Sequence, residues 1–301
     1  MISVLIPVYN CDITALITTL EHQLSIVRIP YEIVIIDDGS NLAFKEKNRA
    51  VIQYKSVEYS EFPYNKGRIA TRNELMKKAA FDWLLFLDAD SQITYNKFIE
   101  YYIQNLHDKW DVIVGGRIYS KITPADCRLR LHWTYGSKRE MQLSEQRSKR
   151  PYAGFMSNNF LIRKAAFQKL QITEALVGYG HEDTWMGIQL ERMGAKVLHL
   201  DNPALHNGLE DNKVFIEKSL NSLQNLQKLQ KIVGEQALKK HVKLYAFYCR
   251  CKNLGLLPIA NAILTVMQPI IQKQLASCKP SLFLFDLYRL HHFAQIAKQA
   301  H

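Results

Sequence analysis

Acidic side chains are scarce in the last third of this 301-residue chain. From Asp211 onward there are four Asp and Glu against 13 Lys and Arg, whereas the first 210 residues hold 24 acidic and 26 basic residues. The net charge of +11 therefore belongs almost entirely to the tail. Such an excess suits an anionic surface and says nothing about fold. Cysteine is also sparse: five residues, an odd number, with Cys249 and Cys251 only one residue apart. That spacing suits no zinc site and no disulfide framework, so reduced thiols in a cytosolic protein are expected. The N-terminus, MISVLIPVYN, lacks a basic n-region, and Pro7 interrupts its apolar run. It reads as a first strand, not a signal peptide. There is no internal repeat and no low-complexity tract. What is present is a 48% apolar composition, that of a globular protein with a real core. The length fits one large α/β domain or a catalytic domain with an appendage.

Over residues 1–210 strand-like and helix-like stretches alternate. ISVLIPVY and YEIVIIDDGS are apolar strands, the second ending in acids and glycine. NKGRIATRNELMKKAA enters an amphipathic helix, WLLFLDAD is a buried strand, and a helix follows around residues 95–106. DVIVGGRIYS is another strand, residues 128–146 read as helical, and NNFLIRKAAFQKL runs from strand into helix. A helix over 182–193 stops at Gly194 before the strand AKVLHL. This alternation predicts an α/β fold, a mostly parallel sheet covered by helices, with ligands gathering at the carboxyl ends of the strands.

Acids collect at those ends. Asp88 and Asp90, flanking Ala89, follow five apolar residues directly. Two carboxylates so close repel unless a cation joins them, and Mg2+ or Mn2+ prefers such oxygen ligands beside substrate phosphates. Asp37 and Asp38 in DDGS can accept hydrogen bonds from a base or a ribose, although a strand-end turn with Gly39 would account for them alone. In GYGHEDTWMG, residues 178–187, Glu182 and Asp183 open a helix behind a loop holding Tyr179 and His181. Acids there can complement the helix dipole, and a carboxylate in such a loop can also deprotonate a hydroxyl. His206, just after AKVLHL, is a candidate third metal ligand.

The order PVYN, DDGS, NKGRIATRN, LDADS, GYGHEDTWMG, His206 resembles the inverting family-two glycosyltransferases of the GT-A fold. The acidic loop is similar to that of β-1,4-galactosyltransferases, chondroitin polymerases and polypeptide N-acetylgalactosaminyltransferases. The resemblance covers residues 1–210 as a GT-A domain and leaves 211–301 as a basic helical extension. It implies that Pro7, Val8 and Tyr9 lie against the nucleotide base. It places Asp37, Asp38, Asn65, Gly67 and Arg68 around the nucleotide, Asp88 at the ribose or a metal-bound water, and Asp90 and His206 on the metal. Asp183 is then the general base, Glu182 holds the donor sugar, and GFMSNN, residues 154–159, contacts the sugar. The implied cofactor is Mn2+ or Mg2+ and the donor a UDP-sugar, with UDP-Gal, UDP-GalNAc or UDP-GlcNAc favoured. The implied acceptor is a hydroxyl of a glycan or lipid-linked intermediate. QLERM, residues 189–193, matches the Q-x-x-R-W motif of processive synthases except for its tryptophan. It lies too close to Asp183 to be that motif, so a single-sugar transferase is expected. A retaining transferase and a non-catalytic nucleotide- or lipid-binding protein are the alternatives.

In the tail, residues 253–272 form twenty residues without a charge, long enough to span a bilayer. Pro258, Asn261, Gln268 and Pro269 make a poor span, so an interfacial or re-entrant segment or a buried hairpin is expected. SLFLFDLYRLHHFAQIAK places aromatics beside basic residues, as membrane-surface helices do. An anionic membrane surface is thus an expected partner and nucleic acid is not, with the chain peripheral on the cytoplasmic face.

Overall fold

The computed structural model describes residues 1–170 and 180–299. The chain divides into two compact units. Unit 1 comprises Met1–Ile118, Gln142–Glu174 and Gln189–Gly208; unit 2 comprises Tyr119–Met141, Ala175–Ile188 and Leu209–His301.

Among the described residues the strands all belong to unit 1: β1 (Ile2–Val8), β2 (Tyr31–Asp37), β3 (Val57–Glu61), β4 (Trp83–Leu87), β5 (Ser91–Gln92), β6 (Val112–Val114), β7 (Arg117–Ile118), β8 (Asn159–Arg163), β9 (Val197–His199) and β10 (Ala204–His206). A seven-stranded sheet runs β3-β2-β1-β4-β8-β6-β9, and a three-stranded sheet runs β5-β10-β7. Helices α1 (Thr14–Ile26), α2 (Leu42–Asn48), α3 (Arg68–Lys78) and α4 (Phe98–Gln104) connect the first strands. After them come α5 (Arg130–Tyr135) in unit 2, then α6 (Ser144–Ser148) and α7 (Lys164–Lys169) in unit 1. Helix α8 (Glu182–Arg192) begins in unit 2 and ends in unit 1.

The α/β alternation forms as expected, because β1, β2 and β4 are apolar on both faces and demand cover on both. Leu16, Ile17, Leu20 and Leu24 of α1 supply part of it, packing with Ile2, Val4, Ile6 and Val8. β1 pairs in parallel with β2 and β4, and Val8 faces Asp37, so the carboxyl ends of β1 and β2 finish level. The sheet is mixed: β8 lies antiparallel between β4 and β6. The strand expected in DVIVGGRIYS breaks in two at Gly115 and Gly116. A Cβ on Gly115 would stand 2.3 Å from the Tyr102 hydroxyl, and Gly116 has φ +91°. The pair thus passes the chain from the large sheet to the small one. The helix expected over 128–146 is likewise broken, into α5, a π turn (Gly136–Glu140) and α6.

Arg147, 3% exposed, pins this corner. Its guanidinium donates to the carbonyls of Val114, Gly115 and Leu200 and to Nδ1 of His199, and His199 Nε2–H donates to Pro151 O. Both ring nitrogens are committed to the neutral imidazole. Burial chiefly pushes the His199 pKa down to about 4; the Pro151 carbonyl opposes this and Arg147 assists it. Below the unperturbed value of 6.5 the unfolded chain takes up a proton that the folded chain refuses. Stability is therefore fully present above that pH and is lost as pH falls toward about 4, by at most about 1.4 kcal/mol per pH unit. His199→Gln should flatten this slope, measured by urea unfolding at neutral and mildly acidic pH.

Unit 2 contains α5 and the tail helices α9 (Asn212–Val233), α10 (Glu235–His241), α11 (Lys243–Asn253), α12 (Leu257–Leu275) and α13 (Leu282–Gln299). Its core joins Leu131, Phe215, Leu264, Ile271, Leu275, Phe285 and Tyr288. Gly234, where φ is +86°, separates α9 from α10. No single helix among the described residues is long and apolar enough to cross a membrane; α11 and α12, bent by 118°, reach that threshold only as a pair. The expectation of reduced thiols throughout is corrected: Cys127 and Cys278 form a disulfide. Their separation of 151 residues hid the pairing from any reading of local spacing. Cys11, Cys249 and Cys251 remain thiols.

Candidate active site

In unit 1 three loops meet beyond the ends of β1 and β2. Asp38 N–H donates to Val8 O, Asn10 N–H to the Ser40 hydroxyl, and Asn41 N–H to Asn10 Oδ1. PVYN and DDGSN are thereby zipped together. Gly39 has φ +76°, and its Cα rests on the Tyr64–Asn65 backbone, where a Cβ would approach to 2.5 Å. Asp38 is 4% exposed, and its two oxygens accept the backbone N–H groups of Lys66 (2.7 Å) and Gly67 (2.9 Å). Asp38 therefore shapes the NKGR loop, which carries Asn65 and delivers Arg68 to the first turn of α3. Asp37, fully buried, caps its own turn through Ser40 N–H at 2.7 Å. Val8 is buried, Pro7 partly so, and the Tyr9 ring is 54% exposed beside them.

DAD follows β4 directly. Asp88 N–H donates to Asn158 O, so GFMSNN braces the turn. Asp88 Oδ1 lies 3.1 Å from Arg72 Nη2 and Oδ2 lies 3.3 Å from Arg117 Nη2. Arg72 is 2% exposed and also donates to Ser157 O at 2.8 Å. The expected repulsion between Asp88 and Asp90 is thus partly answered by two guanidinium groups. Arg72→Met should cost about 3 kcal/mol in urea unfolding, the low end for a broken buried pair because Arg117 still faces the carboxylate.

Asp90 faces the small sheet. Its Oδ2 lies 3.2 Å from Nδ1 of His206 on β10, and its carbonyl accepts Asn207 N–H. Burial alone would raise the Asp90 carboxyl; the His206 hydrogen bond and charge, with Arg117 and Arg68, outweigh it and hold the group below the ordinary carboxylate range. Asp90 Oδ1 is buried with no hydrogen-bond partner among the described residues. A buried orphan oxygen is costly unless something else satisfies it. A carboxylate oxygen beside an imidazole suits Mn2+ or Mg2+ in a site completed by substrate phosphates and water. No cluster of three or more His, Cys, Asp or Glu able to hold a metal occurs among the described residues. Ala89 lies partly exposed between the two aspartates.

Glu182 and Asp183 belong to unit 2, on the first turn of α8. Glu182 is 7% exposed and its Oε2 accepts Gly180 N–H at 3.0 Å; Asp183 is half-buried. His181 takes φ +69°, and the Gly180 carbonyl accepts a hydrogen bond from Asn225 of α9. A Cβ on Gly180 would stand 2.4 Å from Ser222 Cβ. This end of the acidic loop is therefore seated on α9. Gly178 and Tyr179 lie outside the described residues.

Arg72, Arg117 and Gly208 were not anticipated. A Cβ on Gly208 would stand 2.5 Å from Asp90 Oδ2, so a side chain there would press on the candidate metal site. One signal existed for Arg72: it stands one helical turn after Arg68, on the same face of α3.

The model of glycosyl transferase family 2 matches residues 3–171. The chain belongs to that family. The fold agrees with the GT-A transferases. A Pyrobaculum calidifontis mannosyltransferase solved with GDP-Man and Mn2+ superposes with TM-score 0.52 at 13% identity, covering 98% of this chain and 86% of that one. S. aureus TarS gives TM-score 0.52 at 14% identity, covering 100% and 92%. Glucosyl-3-phosphoglycerate synthase from Mycobacterium tuberculosis, solved with Mg2+ and UDP, gives 0.53 at 15%, covering 77% and 78%. Among curated sequences, an uncharacterized glycosyltransferase of Haemophilus influenzae is 30% identical over 112 residues, 35% of this chain and 43% of its own. A poly(ribitol-phosphate) beta-glucosyltransferase of Bacillus spizizenii is 30% identical over 118 residues, 38% of this chain and 18% of its own. The matches span less than half the length of these curated relatives. In this family-two member, the segments around Asp38, Asp88 and Asp90 all fall inside the matched region, and His206 lies beyond it.

Proposed function

We propose that this family-two chain moves one sugar from a UDP-sugar to a hydroxyl of a glycan or lipid-linked acceptor, with inversion. The observation that carries this reading is Asp90, whose orphan Oδ1 and His206-facing Oδ2 stand at the end of β4, electrostatically within reach of Arg68 on the Asp38-held loop. Tyr9, Pro7 and Val8 line the base. Asp37 and Asp38 act mainly by holding the loops that surround the nucleotide. Asp90 and His206 would hold Mn2+ or Mg2+. When bound, the cation supplies the positive charge that stabilises the departing nucleotide diphosphate. Asp88, already engaged by two arginines, meets the donor through a ribose hydroxyl or a metal-bound water. Glu182 holds the donor sugar, and Asp183 takes the proton from the acceptor hydroxyl as that oxygen attacks the anomeric carbon.

The acidic loop's likeness to galactose and N-acetylgalactosamine enzymes favours UDP-Gal, UDP-GalNAc or UDP-GlcNAc. The name of the Bacillus relative brings UDP-Glc into the same screen. Release of UDP from one of these donors, dependent on Mn2+ and on an added acceptor, is the expected result. Proton NMR of the product anomer tests inversion, and retained configuration would overturn the role given to Asp183. Failure of every donor to release UDP would favour a non-catalytic nucleotide-binding protein.

A further inference from the structure

Helix α12 buries Leu264, Ile271 and Leu275 in the unit 2 core and carries a second apolar stripe outside it. Polar groups along the helix are paired with α13. Asn261 Oδ1 and Gln268 Nε2 meet the two ring nitrogens of His291 on α13 at 3.0 and 2.9 Å, and Gln272 donates to the Tyr288 hydroxyl at 2.8 Å. Four large apolar side chains lie outside that core. Ile259, Ile263, Val266 and Ile270 are 64%, 54%, 78% and 66% exposed. Their spacing of four, three and four residues puts them on one stripe of the helix. Residues 257–272 contain no charge at all. Pro258 and Pro269, the features that argue against a spanning helix, also lie exposed on this helix. Leu254, at the end of α11, is 63% exposed, and Phe283 at the start of α13 is 68% exposed. Four large apolar side chains exposed along one stripe mark an interaction surface.

We propose that the α12 face is a membrane-docking surface for anionic lipid. The charge around it chooses the occupant. Residues 236–301 hold nine Lys and Arg and one acid, Asp286, which is already paired with Arg139 at 2.7 Å. Lys243, Arg250, Lys252, Lys273 and Lys279 are all exposed and flank the uncharged segment on both sides in the chain. An apolar stripe rimmed by lysine and arginine partitions into the interface of an anionic bilayer, the stripe among the acyl chains and the cations at the phosphates. A second copy of the chain would bring the same positive rim against itself, which opposes a dimer through this face. The inference goes beyond the transferase reading and does not depend on it.

The test is flotation of the full chain with vesicles of phosphatidylglycerol and phosphatidylcholine in equal parts, and with phosphatidylcholine alone. Binding to the anionic vesicles, weakened by salt, is expected. The double variant Ile263→Glu, Val266→Glu should lower the bound fraction at least roughly tenfold. Both positions are exposed, so the thermal unfolding midpoint should not fall; the milder Ile263→Ser, Val266→Ser pair gives the same comparison should the glutamates disturb folding. Unchanged flotation of folded variants, or equal binding to phosphatidylcholine alone, would overturn the proposal. So would a dimer, seen by light scattering, that the substitutions convert to a monomer. None of these readouts requires sugar transfer, so an inactive chain that floats sinks only the catalytic reading.

Discussion

Asp183→Asn is expected to lower sugar transfer by roughly 10²–10⁴-fold, the usual contribution of a positioned general base. Asparagine preserves the size of the side chain and its ability to accept a hydrogen bond. It cannot take a proton from the acceptor hydroxyl. Asp183 sits on the first turn of α8, where the backbone is held by Gly180 against Ser222 and Asn225, so the substitution should leave the fold intact. UDP affinity, measured by calorimetry with Mn2+, should be unchanged, because no role in nucleotide binding is assigned to this carboxylate. A variant turning over at nearly the normal rate would show that another group removes the proton. A variant that lost UDP binding as well would point to a role in building the donor pocket.

Asp90→Asn should reduce metal-dependent transfer by roughly 10²–10³-fold, the range for removing one strong stabiliser of developing negative charge. In the folded chain Asp90 Oδ1 is buried without a partner, and the carboxyl is nevertheless held in its charged form by His206, Arg117 and Arg68 against the effect of burial. An uncharged amide keeps the contact with His206 but removes the negative charge that a cation would meet. Mn2+ should therefore bind more weakly in the presence of UDP, by titration calorimetry, and a larger metal excess should be needed for any residual turnover. Unchanged Mn2+ affinity in Asp90→Asn would remove this residue from the metal site. The same measurement on Asp88→Asn separates the two aspartates: its main partners are Arg72 and Arg117, so lost stability should accompany any loss of activity.

Much of the scaffold was legible because β1, β2 and β4 are short apolar runs that give way to polar residues at Asn10, Asp37 and Asp88. Such runs report burial on both faces, and the helical patterns between them imply the crossovers of an α/β sheet. β3, β5 and β10 were not legible. β5 and β10 are two or three residues long, and their pairing places Ser91 opposite His206, which no local pattern encodes. The antiparallel insertion of β8 between β4 and β6 was equally silent, since a short run with an apolar centre such as NFLIR pairs in either direction.

Taken alone, the amino-acid sequence determined where strands end in acids, where glycine interrupts a helix or strand, and that the tail is apolar and basic. These are local properties, set by hydrophobic period, backbone freedom and charge count. Only the tertiary structure decided that Arg72 and Arg117 meet Asp88, that His206 meets Asp90, that Cys127 reaches Cys278, and that α12 buries Leu264 and Ile271 while leaving Ile263 and Val266 exposed. Period and composition tell which residues leave water. They do not tell which group stands opposite, because that depends on packing between segments far apart in the chain.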